Sequence, residues 1–225
     1  MSVKKIAPSI LILIVPIILA GCGGYTTPAS TPPGTVPPLA LVANSVSNSI
    51  SSFEVDAQTG QLHAKEMVPT GGMNSRIIAV EPSRHFAYVG NLASKDISVF
   101  AIDGNTGHLS IVGSPVPAGS GPRFIVVGPT GNVLYAVNQQ ANNITGFSIN
   151  PSTGVLTPLS GTVPTDAAPV QLSFHPSGQF AYLVNFNSSD VTVYRVETTG
   201  ALGLLGATPA GLSPSSLLSM WQPGC

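Results

Sequence analysis

The stretch YAVNQQANNITGFSINPSTGVLTPLSG, Tyr135–Gly161, restates YVGNLASKDISVFAIDGNTGHLSIVG, which begins at Tyr88, at a step of 47 residues. The step recurs along the chain. Asn44, Asn91, Asn138 and Asn185 keep it, as do Phe53, Phe100, Phe147 and Tyr194, then Pro82, Pro129 and Pro176, and Tyr88, Tyr135 and Tyr182. Thr59-Gly60, Thr106-Gly107 and Thr153-Gly154 form a further ladder, continued at Thr199-Gly200 with one residue deleted. Such ladders mark a repeat architecture, and four units of 47 residues account for the chain from Leu39 onward.

Each unit holds short runs rich in Val, Ile, Phe and Tyr, for example FIVVGP from Phe124, VLYAVN from Val133, NITGFSI from Asn143 and VLTPLS from Val155. None has a helical period, so each predicts a strand. The segments DAQTG, DGNTG and NPSTG predict hairpin loops: Asp56, Asp103 and Asn150 start Asx-type turns, and Gly60, Gly107 and Gly154 take positive φ. Pro129–Gly131 and Pro176–Gly178 turn the chain between the first and second runs, where Arg84 replaces the glycine of the earlier unit. The third run is apolar on both sides, with Ile97, Val99 and Ala101 on one and Phe100 and Ile102 on the other. Strands buried on both faces belong to sheets stacked on sheets. The prediction is an all-β β-propeller of about four blade-like repeats, each of four antiparallel strands, either closed as a four-bladed ring or open as part of a seven-bladed one.

Composition agrees. Only 8% of the 225 residues are charged, while Gly (24) and Pro (21) are abundant, which suits many tight turns. With 8 basic and 9 acidic side chains there is no electrostatic footprint for nucleic acid.

Residues 1–21 read as a signal peptide: Lys4 and Lys5, an apolar run from Ile6 to Ala20, then Gly21 before Cys22. Leu19-Ala20-Gly21-Cys22 resembles the lipobox of bacterial lipoproteins, which implies lipid on Cys22, a membrane as partner, and a place on the periplasmic or outer surface of the cell envelope. Residues 22–38, with Pro28, Pro32, Pro33, Pro37 and Pro38, read as a tether, and residues 39–225 as the propeller repeats. Lipid on Cys22 leaves Cys225 as the one free thiol, so no intramolecular disulfide is expected.

The cores YVGN, YAVN and YLVN, each followed by an apolar strand and a TG-x-L hairpin, resemble the YVTN repeat of the bacterial lactonase family of β-propellers, the group of 6-phosphogluconolactonase-like proteins. The resemblance runs from Leu39 to about Leu217. It implies seven-bladed closure and a pocket at one end of the central channel that uses Arg, His and Glu. The segment that carries those groups has the form GPRH, a turn, then Y-V-x-N-E, and its match here is GPRFIVVGPTGNVLYAVNQ, Gly121–Gln139. Arg123 is kept, Phe124 stands in place of the His, and Gln139 in place of the Glu. The corresponding positions elsewhere hold Ser45, Leu92 and Phe186, so no repeat supplies the carboxylate. Lactone hydrolysis needs a group to activate water and a donor to stabilise the oxyanion. Gln139 can orient water but cannot take its proton.

Arg123 and its repeat-equivalent Arg76 are the ligand-binding candidates, since a guanidinium recognises carboxylate or phosphate bidentately. Arg123 with Gln139 is the candidate catalytic pair. The competing reading of both arginines is that they cap turns and carbonyls between blades. His175 reads as a turn residue; His63, His85 and His108 have no ligand spacing, and no metal site or cofactor is expected. The Asn ladder reads as strand-end amides bonding the neighbouring strand.

The repeats begin, at LALVANS, with the family's second strand, so the matching first strand would come from Ser215–Trp221. If that segment returns to the first blade, a four-bladed ring closes; otherwise the ends expose edges that invite self-association, as in a shortened member of a seven-bladed family. Two functions follow: a lipid-anchored, non-catalytic binding or scaffold propeller for a glycan, peptide or protein, or a hydrolase of a sugar lactone.

Overall fold

The computed structural model describes residues 38–217, and these form sixteen strands in four antiparallel sheets without a helix. The first sheet holds β1 (Leu39–Asn44), β2 (Ser49–Val55) and β3 (Leu62–Pro69). The second runs β4 (Ser75–Val80), β5 (Phe86–Asn91), β6 (Asp96–Ile102), with β7 (Leu109–Ile111) and β8 (Val116–Pro117) both paired to β6 as one interrupted outer strand. The third is β9 (Pro122–Val127), β10 (Val133–Asn138), β11 (Asn143–Ile149) and β12 (Leu156–Pro164). The fourth is β13 (Pro169–Phe174), β14 (Phe180–Asn185), β15 (Asp190–Val196) and β16 (Leu202–Pro209). Within each sheet the strands follow chain order, which is the meander of a propeller blade.

The local turn chemistry is as the residues dictate. Asp56 Oδ1 accepts from the N–H groups of Gln58 and Thr59, both at 2.8 Å, and Asp103 and Asn150 do the same in the next two repeats. The glycines that close these hairpins have φ of +72°, +69° and +72° at Gly60, Gly107 and Gly154. Arg84 takes the glycine's left-handed role at φ +62°, matching +77° at Gly131 and +71° at Gly178.

Three apolar cores lie between the four sheets. The first joins Leu41 and Ile50 to Val89, Phe100 and Leu109; the second joins Tyr88 and Val99 to Leu134 and Phe147; the third joins Tyr135 and Ile144 to Leu183 and Tyr194. In each, the aromatic residue of the third strand points back onto the preceding blade. The tyrosine of the second strand reaches forward: Tyr88 Oη donates to the carbonyl of Gly154 (3.3 Å) and Tyr135 Oη to that of Gly200 (2.7 Å). Burial raises both phenol pKa values, that of Tyr135 to about 12.

Among the described residues no such core joins the first and fourth sheets, so they form an open arc. Of the two closures the sequence allows, this is the open one. Of the expected return strand only Ser215–Leu217 lies within the described residues, and there Leu217 exchanges two 3.0 Å hydrogen bonds with the side-chain amide of Gln171, on the fourth blade. Its residue number places it one repeat step beyond Val170, at the start of a further inner strand. Among the described residues the first blade has three strands, and the inner edge of β1 has no strand paired to it. The signal peptide, most of the tether including Cys22, and Cys225 lie outside the described residues.

Candidate functional site

Arg76 and Arg123 occupy the same place in two neighbouring blades. Ser75 pairs with Asn91 and Ile77 with Gly90, so Arg76 is the extra residue of a bulge; Pro122 pairs with Asn138 and Phe124 with Val137, which puts Arg123 in the matching bulge. A bulge on an inner strand re-aims its side chain out of the pleat. The inner strands β4 and β9 pack side by side, and the two guanidiniums come close enough for their charges to interact. Burial first, and the charge of Arg76 second, pull the Arg123 guanidinium below its usual pKa. Arg123 is half-buried and Arg76 exposed.

Neither guanidinium has a hydrogen bond or ion pair among the described residues; the two ion pairs there are Lys65–Glu54 and His108–Glu66. The expectation that these arginines cap turns and inter-blade carbonyls is therefore not met. Two like charges held together without a carboxylate favour an anion of appropriate size, because it relieves their repulsion and fills their donors. The equivalent position of the fourth blade is Val170, so the charge is confined to two blades.

Gln139 is anchored by its own backbone at the end of β10, the hairpin partner of β9. Its N–H donates to the carbonyl of Gly121 at 3.0 Å, across from the start of β9, and its side chain is partly exposed. Gly121 is required there: its φ is +77°, and a Cβ would meet Cγ of Gln140 at 2.8 Å. Phe124, at the position where the resemblance has a histidine, packs half-buried against two of the inter-blade cores. Arg76, Arg123 and Gln139 themselves supply two cations and an amide, none of which is suited to take a proton from water.

The asparagine ladder lies at the same end. Asn44 Nδ2 donates to Ser49 and Ser51, Asn91 to Asp96 and Ser98, Asn138 to Asn143 and Thr145, and Asn185 to Asp190 and Thr192. The partners on the neighbouring strand are its side chains five and seven residues on, a spacing present in the sequence of every repeat. Asn91 Oδ1 accepts from Ser75 Oγ at 2.8 Å. Pro122 and Pro169 stand at the serine's place in the next blades, and the buried Oδ1 atoms of Asn138 and Asn185 accept no hydrogen bond from the described residues.

Other polar groups are occupied structurally. Glu81 lines a cleft with Pro82, Thr130 and Asn132, but its carboxylate takes the N–H groups of Ser83, His85 and Phe86 and the hydroxyl of Ser83. Burial pushes its pKa up, and those hydrogen bonds together outweigh burial and hold it below the usual range. His175 Nδ1 bonds the hydroxyl and N–H of Ser177 in its turn. No group of three or more His, Cys, Asp or Glu side chains with metal-binding geometry occurs among the described residues.

A family model described as Lactonase, 7-bladed beta-propeller matches residues 39–121 and 116–170, more than half of the chain. No protein of curated function matches it. Similar solved structures include a candidate 6-phosphogluconolactonase from Bacteroides uniformis (TM-score 0.72, 23% identity, 79% of this chain and 53% of that one). A protein from Lactobacillus plantarum (TM-score 0.70, 23% identity, 78% and 53%) and the periplasmic gluconolactonase of Pseudomonas aeruginosa (TM-score 0.68, 20% identity, 86% and 61%) are also similar. At these identities the likeness is one of fold. The chain spans little more than half the length of these structures.

Proposed function

This chain belongs to the lactonase family of seven-bladed β-propellers, and on that premise we propose that it is a non-catalytic binding propeller, held at the cell envelope by lipid on Cys22, whose Arg76 and Arg123 take a carboxylate- or phosphate-bearing ligand. The observation that carries the reading is the guanidinium pair, aimed from adjacent bulges and unpartnered among the described residues, with Phe124 and Gln139 in place of an imidazole and a carboxylate. Such a site can bind and orient an anion. It lacks a base to activate water. A glycan bearing an acid group or an acidic peptide fits this chemistry.

Titration calorimetry with gluconate, 6-phosphogluconate and neutral glucose tests it. The acids should bind and glucose should not, and Arg123→Ala should weaken the acids at least about tenfold. Equal heats for acids and glucose would sink the reading. Metabolic labelling with palmitate, lost in Cys22→Ser, tests the anchor.

The second reading, hydrolysis of a sugar lactone, is favoured by the names of the similar Bacteroides uniformis and Pseudomonas aeruginosa proteins. Turnover of gluconolactone above the spontaneous rate, diminished by Arg123→Ala, would replace the binding reading with it.

A further inference from the structure

The hairpin between β5 and β6 lies across both of the loops that deliver the arginines. On one side Leu92 N–H donates to the carbonyl of Asn74 at 2.9 Å, and Ser94 Oγ accepts from Met73 N–H at 2.8 Å. These bonds tie the hairpin to the loop that enters β4 and Arg76. On the other side the carbonyl of Lys95 accepts from Ala118 N–H at 2.9 Å, in the loop that enters β9 and Arg123. Lys95 therefore stands between the two.

The repeat shows where its side chain leaves the hairpin. Asn48, Lys95, Asn142 and Ser189 are one step apart and share a left-handed backbone, with φ of +52°, +63°, +50° and +58°. Asn48 Oδ1 accepts from Asn74 N–H at 2.7 Å and Asn142 Oδ1 from Ala168 N–H at 2.8 Å, each the second residue before the bulged position of the next inner strand. The same backbone at Lys95 sends its Cβ toward Gly121, two residues before Arg123. A lysine has no acceptor with which to repeat that bond, and left-handed φ favours asparagine over it. Turn chemistry thus does not account for the lysine. It is exposed and has no ion pair among the described residues; the adjacent Asp96 is engaged by Asn91 Nδ2 at 2.7 Å.

We propose that Lys95 is a third cation of the anion site and that the ligand carries two acid groups, one held by the Arg76 and Arg123 guanidiniums and one by the Lys95 ammonium. This rests on the anion-binding reading given above. A third charge beside two guanidiniums adds repulsion that a single carboxylate leaves uncompensated, whereas two acid groups bring the site closer to neutrality.

Titration calorimetry of the full chain at low salt compares gluconate, which has one carboxylate, with glucarate, which has one at each end of the same carbon chain. Glucarate should bind about tenfold more tightly: about twofold because either end can enter the arginine pair, and about fivefold from the exposed ammonium. Lys95→Asn, which gives the turn the residue of the flanking repeats, should cut the preference to about twofold with an unchanged circular dichroism spectrum. Lys95→Arg should keep it. Lys65→Asn removes a cation of the outer strand β3, paired there with Glu54, and should leave the preference as in the wild type. A wild-type preference of about twofold, one that survives Lys95→Asn, or one that falls equally with Lys65→Asn overturns this proposal alone. Failure of both acids to bind overturns it together with the reading it rests on. If Lys95→Asn does not fold, acetylation of the wild type read by mass spectrometry replaces it: glucarate must shield Lys95 more than gluconate does, and equal labelling overturns the proposal.

Discussion

A Cβ added at Gly154 would clash with the ring of Phe86, one blade away. The hairpin glycine thus serves two purposes: it supplies positive φ for its own turn and a flat seat for the neighbouring blade. Gly60, with the same φ of +72°, has only the first. Gly154→Ala should therefore cost about 3 kcal/mol, backbone strain plus overpacking, and Gly60→Ala about 1 kcal/mol from strain alone. Chemical denaturation of the two variants measures the difference. Equal losses would remove the inter-blade role.

The forward-reaching tyrosines make a second contrast. Tyr135→Phe deletes a 2.7 Å bond to a buried carbonyl and should cost about 1 kcal/mol in urea unfolding. Tyr182 makes no such bond among the described residues, and Tyr182→Phe should cost close to nothing.

Asn91→Asp tests the amide ladder. Asn91 Nδ2 faces Asp96 Oδ1 at 2.7 Å and Ser98 Oγ at 2.8 Å, and a carboxylate there would set anion against anion in a buried site. The loss should exceed about 3 kcal/mol at neutral pH. Thermal unfolding within a few degrees of wild type would refute the assignment.

Glu81 carries a pH dependence whose sign follows from its hydrogen bonds. Its folded pKa is lowered, so the unfolded chain takes up the proton first as pH falls. The stabilisation is complete above the ordinary glutamate range, near pH 4.3, and is lost as pH drops through the lower folded value. Glu81→Gln should reduce stability at pH 7 and flatten the acid limb of a stability-against-pH curve. An acid limb identical to wild type would exclude Glu81 as its source.

Gln139→Glu restores the carboxylate that the family resemblance calls for. Beside Arg123 it should compete for the guanidinium and weaken acid binding by about tenfold. Calorimetry reads this directly. Tighter binding would place Gln139 away from the ligand.

How much of this was legible beforehand varies by residue. The 47-residue step of Asn, Phe and Tyr positions determined the blades, because each repeat must present the same side chain at the same depth to bury it against its neighbour. The turn residues Asp56, Asp103 and Asn150 were readable for a local reason: their hydrogen bonds reach only two or three residues along the chain. Arg123 was visible as a kept member of a motif. The bulges that aim it and Arg76 were not, since a bulge is a register shift between two strands and no one strand encodes it.

By itself, the sequence determined the all-β repeat, its turns and the loss of the usual His and Glu at the candidate site, all properties of local pattern and residue identity. Tertiary structure alone decided that the four described sheets form an open arc, that two arginines from different repeats stand together unpartnered among the described residues, and that Gly60 and Tyr182 lack there the inter-blade contacts of their repeat equivalents. Those depend on curvature and on packing between segments far apart in the chain, which burial energetics settle only once the sheets are stacked.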